Sequence, residues 1–298
     1  MATAQPKTVA LPVETIPGTE RPAWLERLIR AITYAALILL ALAMFVPFIY
    51  ALSTSFKSLP EASQPGIAWI PAAPTTAAYE RLFSAGFGLA AFNSFFVAFW
   101  VLTGRLLFNS MAGYALARLR FPGRNLLFGV IVASMFVPGV VLIVPRFLIL
   151  SQLGMLNSYQ GMIIPLMTDA FGIFLMRQFF ESIPVELEEA AQIDGASRFG
   201  IFFRVILPLA TPALATMAIL SFQGAWNELI HYLVVTGTYP PLYTLTLWLA
   251  QLRGTGFQVD WPVIMAGSML TTVPTAIVFL MFQRLFIEGV SYSGLAGQ

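Results

Sequence analysis

Residues 189–208 read EAAQIDGASRFGIFFRVILP, a charged, glycine-punctuated stretch set between two long apolar runs. Its setting decides the fold. Apolar residues fill 159–176 before it and 205–235 after it, and a helix needs roughly 20 such residues to cross a hydrocarbon core of about 30 Å. The stretch is therefore a polar connector between membrane spans. Its internal order predicts an elbow over 182–208. Ser182 can cap a helix, Pro184 suits its first turn, and Glu186, Glu188 and Glu189 put negative charge at the positive helix end. Gly195 is placed to end that helix with a left-handed turn. Ser197 can cap a second short helix bearing Phe199, Phe202 and Phe203, a set expected along the membrane face.

Working outward, six segments are long and apolar enough to span: 31–52, 89–116, 125–145, 159–176, 205–235 and 262–283. Composition supports an all-α membrane protein. Of 298 residues, 58% are hydrophobic and 10% charged, too few charges to cover a soluble domain of this length. Residues 1–27 read as a loose cytoplasmic tail, 28–290 as the transmembrane domain, and 291–298 as a C-terminal tail. The loop 53–88, with Pro60, Pro65, Pro71 and Pro74, reads as extended chain and short turns.

Basic residues set the orientation. With the N-terminus inside, the cytoplasmic segments hold Lys7, Arg21, Arg27, Arg30, Arg118, Arg120, Arg124, Arg177, Arg198, Arg204 and Arg284. The outside holds only Lys57, Arg81, Arg146 and Arg253, and Arg105 falls within a span. This positive-inside bias puts both termini and the 182–208 loop in the cytosol. Trp69, Trp226, Trp248 and Trp261 fall near outer span ends, where amphipathic rings favour the interface. The formal charge of +2 reflects this arginine placement and points to no nucleic acid.

Several chemistries are excluded or disfavoured. Cys is absent, so there is no disulfide, thiol nucleophile or Cys metal site, and a single His231 rules out a His cluster. No GxxxxGK[ST] loop occurs to cradle ATP. Glu188 and Glu189 are adjacent, hence on different helix faces, and read as solvated. No catalytic residue and no bound metal or cofactor is expected.

Glu189-Ala190-Ala191, followed by Gly195 and then by Val205, Leu207 and Pro208, closely resembles the EAA loop of ABC-importer permeases. Within it, Glu189, Ala190, Ala191, Asp194, Gly195 and Arg198 are the candidate ATPase-coupling residues. Tyr114–Arg124, Asn93-Ser94, Arg177–Phe180, Trp226–Glu228 and the ending Gln283–Gly289 also resemble the carbohydrate-importer permeases, closest to the maltose-type branch. The one departure is Val205, where the pattern usually has Ile. The resemblance runs from about residue 28 to 297. It implies a six-span, type I importer fold in a bacterial or archaeal cytoplasmic membrane. It also implies a second, homologous permease subunit, two ATPase subunits that bind the ATP and Mg, and an extracytoplasmic binding protein that delivers a carbohydrate or related solute.

Five polar residues within spans are candidates for the substrate path. Arg105 and Asp169 fall near the centres of the second and fourth spans, where a charge costs roughly 2.5–3.5 kcal/mol on insertion scales. They either line a wet path or pair between helices. Trp226, Asn227 and Glu228 either stack on and bond a sugar or anchor the outer end of the fifth span. His231 reads as structural. The alternative function is a self-contained secondary transporter with Arg105, Asp169 and Glu228 as an ion or proton relay.

Overall fold

The computed structural model describes residues 22–252 and 259–295, of which 284–295 are described by backbone alone. Residues 1–21 of the expected tail, with Lys7 and Arg21, lie outside the described residues, as do Arg253 and residues 296–298. So do the side chains of Arg284–Gly289. Every regular element among the described residues is helical.

In chain order the α-helices are α1 (Ala23–Ser55), α2 (Leu59–Ala62), α3 (Ala77–Ser84), α4 (Phe87–Arg118) and α5 (Arg124–Ser134). They continue with α6 (Ile143–Gln152), α7 (Tyr159–Ile163), α8 (Ala170–Ser182), α9 (Glu186–Ile193) and α10 (Arg198–Ile201). The last are α11 (Leu207–Leu209), α12 (Thr211–Asn227), α13 (Ile230–Thr236), α14 (Leu245–Leu252) and α15 (Trp261–Leu295).

Four stretches among the described residues can cross a bilayer as they stand: Trp24–Ser55, Phe87–Arg118, Tyr159–Ser182 and Trp261–Gln283. Two further spans are bent pairs. Arg124–Ser134 and Gly139–Gln152 meet at 99°, and Arg198–Leu209 and Thr211–Asn227 meet at 80°. The six apolar segments are thus mainly helical, with the third and fifth sharply bent and the fourth interrupted at residues 167–169. Pro138 sits in the first break, and Pro208 and Pro212 flank the second; proline removes a donor and crowds the preceding turn.

The chain divides into two units. The first, up to Tyr50, is the bulk of α1, with exposed Ile32, Leu37, Leu39, Met44 and Phe45 around it. A helix apolar all round suits a lipid setting. α1 begins at Ala23, so residues 23–27, expected in the tail, are already helical; Glu26 in the first turn complements the N-terminal dipole. At the other end α15 continues through Leu295, beyond the expected boundary at 290.

In the second unit α4 is the central helix, packed on α8, α12 and α14. Small residues allow the approach. A Cβ at Gly113 would lie 2.7 Å from Met176 Cβ and 2.9 Å from the Arg177 backbone nitrogen, so only glycine fits α4 against α8 there. One core gathers Leu82, Val97, Val101, Met162, Trp226, Tyr232, Leu245 and Leu247. A second, beside the elbow, gathers Tyr114, Met176, Phe180, Ile201, Phe202 and Ile206.

The loop expected as extended chain carries α2 and α3. In α3, Ala78 and Leu82 lie one turn apart and both are buried, which gives the short helix a packed face. Lys57, expected on the open outer loop, is buried and donates to the Ala68 carbonyl at 2.5 Å. Asn93 and Ser94 are also buried. Asn93 donates to the carbonyls of Pro241 and Tyr243 at 2.9 and 3.0 Å, and the Leu245 amide donates to Ser94 Oγ at 2.7 Å. Those bonds satisfy backbone groups in the turn at Pro240–Tyr243 and at the start of α14, within an apolar core.

Candidate coupling elbow and membrane polar groups

The polar connector folds as a helix, a glycine turn and a second helix. Ser182 closes α8 and donates to the Phe179 carbonyl at 2.7 Å; it does not cap the next helix. That helix, α9, starts after Val185 with no side-chain cap, so Glu186, Glu188 and Glu189 alone complement its N-terminal dipole. Its end is a Schellman motif. Gly195 has φ +83°, its amide donates to Gln192 O at 3.0 Å, and the Ala196 amide donates to Ala191 O at 3.0 Å. Ser197 Oγ then accepts from the Gly200 amide at 3.2 Å and caps α10. The helix widens into a π-turn at Phe202–Ile206 before α11.

Glu189, Ala190, Asp194, Gly195 and Arg198 are exposed, and Ala191 is half-buried against the second core. Ala191, Asp194, Gly195, Phe203 and Arg204 line a concavity of about 710 Å³ beside the elbow. The three phenylalanines divide. Phe199 and Phe203 are exposed, but Phe202 is buried, its ring 5.1 Å from that of Tyr114 and 6.3 Å from that of Phe180. Phe202 therefore leaves the expected membrane-face set and joins the second core.

Sequence reasoning missed how the elbow is held. Glu188 is 3% exposed, not solvated as its neighbours suggested. Its carboxylate lies 3.0 Å from Arg118 Nε and accepts from Tyr114 Oη at 3.0 Å. Arg118 Nη2 donates to the Phe180 carbonyl at 2.6 Å and also to that of Ile183. One guanidinium at the end of α4 thus grips the last carbonyls of α8 and the first turn of α9. The signal was present in Tyr114 and Arg118, four residues apart on one helical face.

Arg105 and Asp169 meet. Arg105 Nε lies 3.0 Å from Asp169 Oδ2 and donates to the Leu166 carbonyl at 2.8 Å. Asp169 also caps α8, its Oδ1 accepting from the Gly172 amide at 2.5 Å. Asn109 Oδ1 accepts from Thr168 Oγ1 at 2.8 Å and from the Asp169 amide at 3.2 Å. The helix therefore breaks between α7 and α8 within the fourth span. The pair serves that break, supplying partners to backbone groups that lipid could not satisfy.

The fifth-span residues separate. Trp226 is 1% exposed; its Nε1 donates to the Thr271 carbonyl at 3.1 Å, and its ring stacks on Phe222 at 5.4 Å. It lies in the core and not at the outer interface. Asn227 is exposed, donating to the Gln223 carbonyl at 3.0 Å. Glu228 is extended and ends α12, so the span stops short of the expected 235. Its Oε1 accepts from the His231 amide at 2.8 Å and opens α13. Among the described residues no cluster of three His, Asp or Glu could hold a metal.

A bent-span membrane chain with a clasped polar elbow has the build of a transport permease. Residues 106–292 match the binding-protein-dependent transport system inner membrane component, and the chain belongs to this family of ABC-importer permeases. Glu189–Ala191 is the EAA motif typical of it. The chain is 39% identical to the sulfoquinovosyl glycerol transport system permease protein of Agrobacterium fabrum, over 88% of this chain and 92% of that protein. It is 38% identical to the arabinooligosaccharides transport system permease protein of Halalkalibacterium halodurans, over 69% of this chain and 73% of that one. A crystal structure of a bacterial ABC transporter that imports the acidic polysaccharide alginate contains a chain with TM-score 0.78 and 28% identity. The match covers 90% of this chain and all of that one.

Proposed function

We propose that this chain is one of two permease subunits of an ATP-driven importer for a carbohydrate or carbohydrate derivative in a bacterial cytoplasmic membrane. The relatives support the cargo class, since their names give sulfoquinovosyl glycerol, arabinooligosaccharides and alginate. The observation that carries the coupling role is the clasp, which fixes an exposed elbow to two spans. Two partner ATPase subunits hold the ATP and Mg, and their closure moves the elbow. Because Arg118 joins α9 to both α4 and α8, a displacement of the elbow moves the second and fourth spans together. An extracytoplasmic binding protein releases solute into the cavity that opens between the two permeases. Glu189, Ala190, Ala191, Asp194, Gly195 and Arg198 form the docking surface, with N- and C-termini on the same cytoplasmic side.

The test is reconstitution in proteoliposomes. Uptake should require the second permease, the ATPase subunits, ATP and the binding protein. Uptake by this chain alone, driven by an ion gradient, would replace the proposal with a secondary transporter.

A further inference from the structure

We propose that the cavity of about 330 Å³ lined by Val140, Ile143, Arg146, Glu228, His231 and Val234 is a subsite for an acidic carbohydrate, one with a carboxylate, sulfonate or phosphate beside its hydroxyls. This rests on the carbohydrate-permease reading and adds the charge of the solute.

The chemistry follows from His231, which is buried. Its Nε2 lies 3.0 Å from the Gly161 carbonyl, which can only accept, so Nε2 carries the hydrogen. Nδ1 is then an acceptor, and Arg146 Nη1 donates to it at 3.4 Å. The ring is neutral, with both nitrogens occupied. The same residue's amide donates to Glu228 Oε1 at 2.8 Å. One residue therefore holds the guanidinium on its ring and the carboxylate on its backbone. Held in this way the two charges do not meet, and among the described residues no ion pair joins Arg146 to Glu228.

Arg146 is half-buried, and the imidazole is its one acceptor among the described residues. A guanidinium offers five N–H donors in a planar fork matched to carboxylate, sulfonate or phosphate. Most of that fork is left open to the cavity beside Val140, Ile143 and Val234, and an anion fits it. Glu228 keeps an oxygen to accept hydroxyl hydrogens from the same molecule, and the apolar walls suit the C–H faces of a sugar ring. A cation would be repelled by Arg146, the Glu228 carboxylate confines an anionic group to the Arg146 end of the cavity, and a neutral sugar would leave the fork uncompensated. The volume lies near the lower end of ligand cavities, about 300–1,000 Å³, which suits one sugar unit.

The chain has no cysteine, so Val234→Cys gives a single reporter in the cavity wall. The assembled transporter in phosphatidylcholine nanodiscs is labelled with N-ethylmaleimide in the presence of galacturonate or glycerol 3-phosphate, and of galactose or glycerol. At least one acidic solute should slow labelling several-fold while its neutral counterpart does not. Arg146→Gln, which can still donate to His231, should abolish the protection, and Arg146→Lys should restore part of it. Four results would each overturn the subsite: no protection by either acid, equal protection by the neutral solute, protection that survives Arg146→Gln, or protection only by added phosphatidylglycerol. ATP hydrolysis by the wild-type assembly, read on the same nanodiscs, tests the permease reading separately.

Discussion

The Arg118 guanidinium sits 3.0 Å from the Glu188 carboxylate where the second span ends and the elbow begins. Both side chains are largely buried, so the pair is costly to break from one side. Glu188→Gln and Arg118→Met should each lower the stability of the assembled transporter, by roughly 3–5 kcal/mol if the remaining charge stays buried. The double substitution should cost less than the sum. Strictly additive losses in a thermal-unfolding cycle would show that the two charges do not depend on each other.

Gly195 needs its conformation and not its empty space. A Cβ there would meet nothing within 4 Å, but φ is +83°. Gly195→Asn should be tolerated, whereas Gly195→Val should strain the Schellman turn, since the left-handed region costs roughly 1–2 kcal/mol for an L-residue. The Val variant should insert normally yet bind the ATPase subunits weakly or hydrolyse ATP without uptake. Wild-type uptake by the Val variant would remove Gly195 from the coupling surface.

Asp169 does two things, and two substitutions separate them. Asp169→Asn keeps an oxygen for the Gly172 amide but loses the charge facing Arg105; Asp169→Ala loses both. Stability should fall in the order wild type, Asn, Ala, with the cap worth about 0.5–2 kcal/mol. Arg105→Ala should cost less on an Asp169→Ala background than on wild type. Equal losses on both backgrounds would dissolve the pair.

Trp226 and Asn227 are neighbours with opposite surroundings. Trp226→Ala removes a buried ring and its bond to Thr271, and should cost about 3–5 kcal/mol with a fall in complex yield. Asn227→Ala leaves only the Gln223 carbonyl without a side-chain donor and should keep normal yield. If Asn227 meets solute, its uptake should drop while binding-protein-stimulated ATP hydrolysis persists. A fall in yield for Asn227→Ala would make it structural.

Orientation is open to direct labelling. Ala196→Cys in the elbow and Ser63→Cys between α1 and α4 both lie at exposed positions. An impermeant maleimide should reach the first only from the cytoplasmic side and the second only from outside. External labelling at position 196 would invert the charge-based topology.

The elbow was legible in the sequence because its determinants are local. Gly195 and Ser197 act on backbone within a few residues, and the structure uses both as caps. The apolar runs were legible for the same reason. Bends within them were not, because Pro138 and Pro208 can break, kink or merely begin a helix, and packing decides which. Glu188 was misread because its partners Tyr114 and Arg118 lie 70 or more residues away in the chain. Its neighbours Glu186 and Glu189 face solvent, and no local pattern distinguishes it from them. Trp226 was misplaced by proximity to a span end, whereas Phe95 on α4 and Thr271 on α15 pack against it.

Translation gives the clasp a further meaning. Tyr114 and Arg118 leave the ribosome early, but their carboxylate partner follows Tyr114 by 74 residues. Until then the α4 terminus carries a cation with no mate, and no elbow exists for another protein to hold. The elbow therefore takes its clasped form only after the fourth span has been synthesised. A truncated chain ending before Glu188 would have neither the elbow nor the joint that holds it to the second and fourth spans.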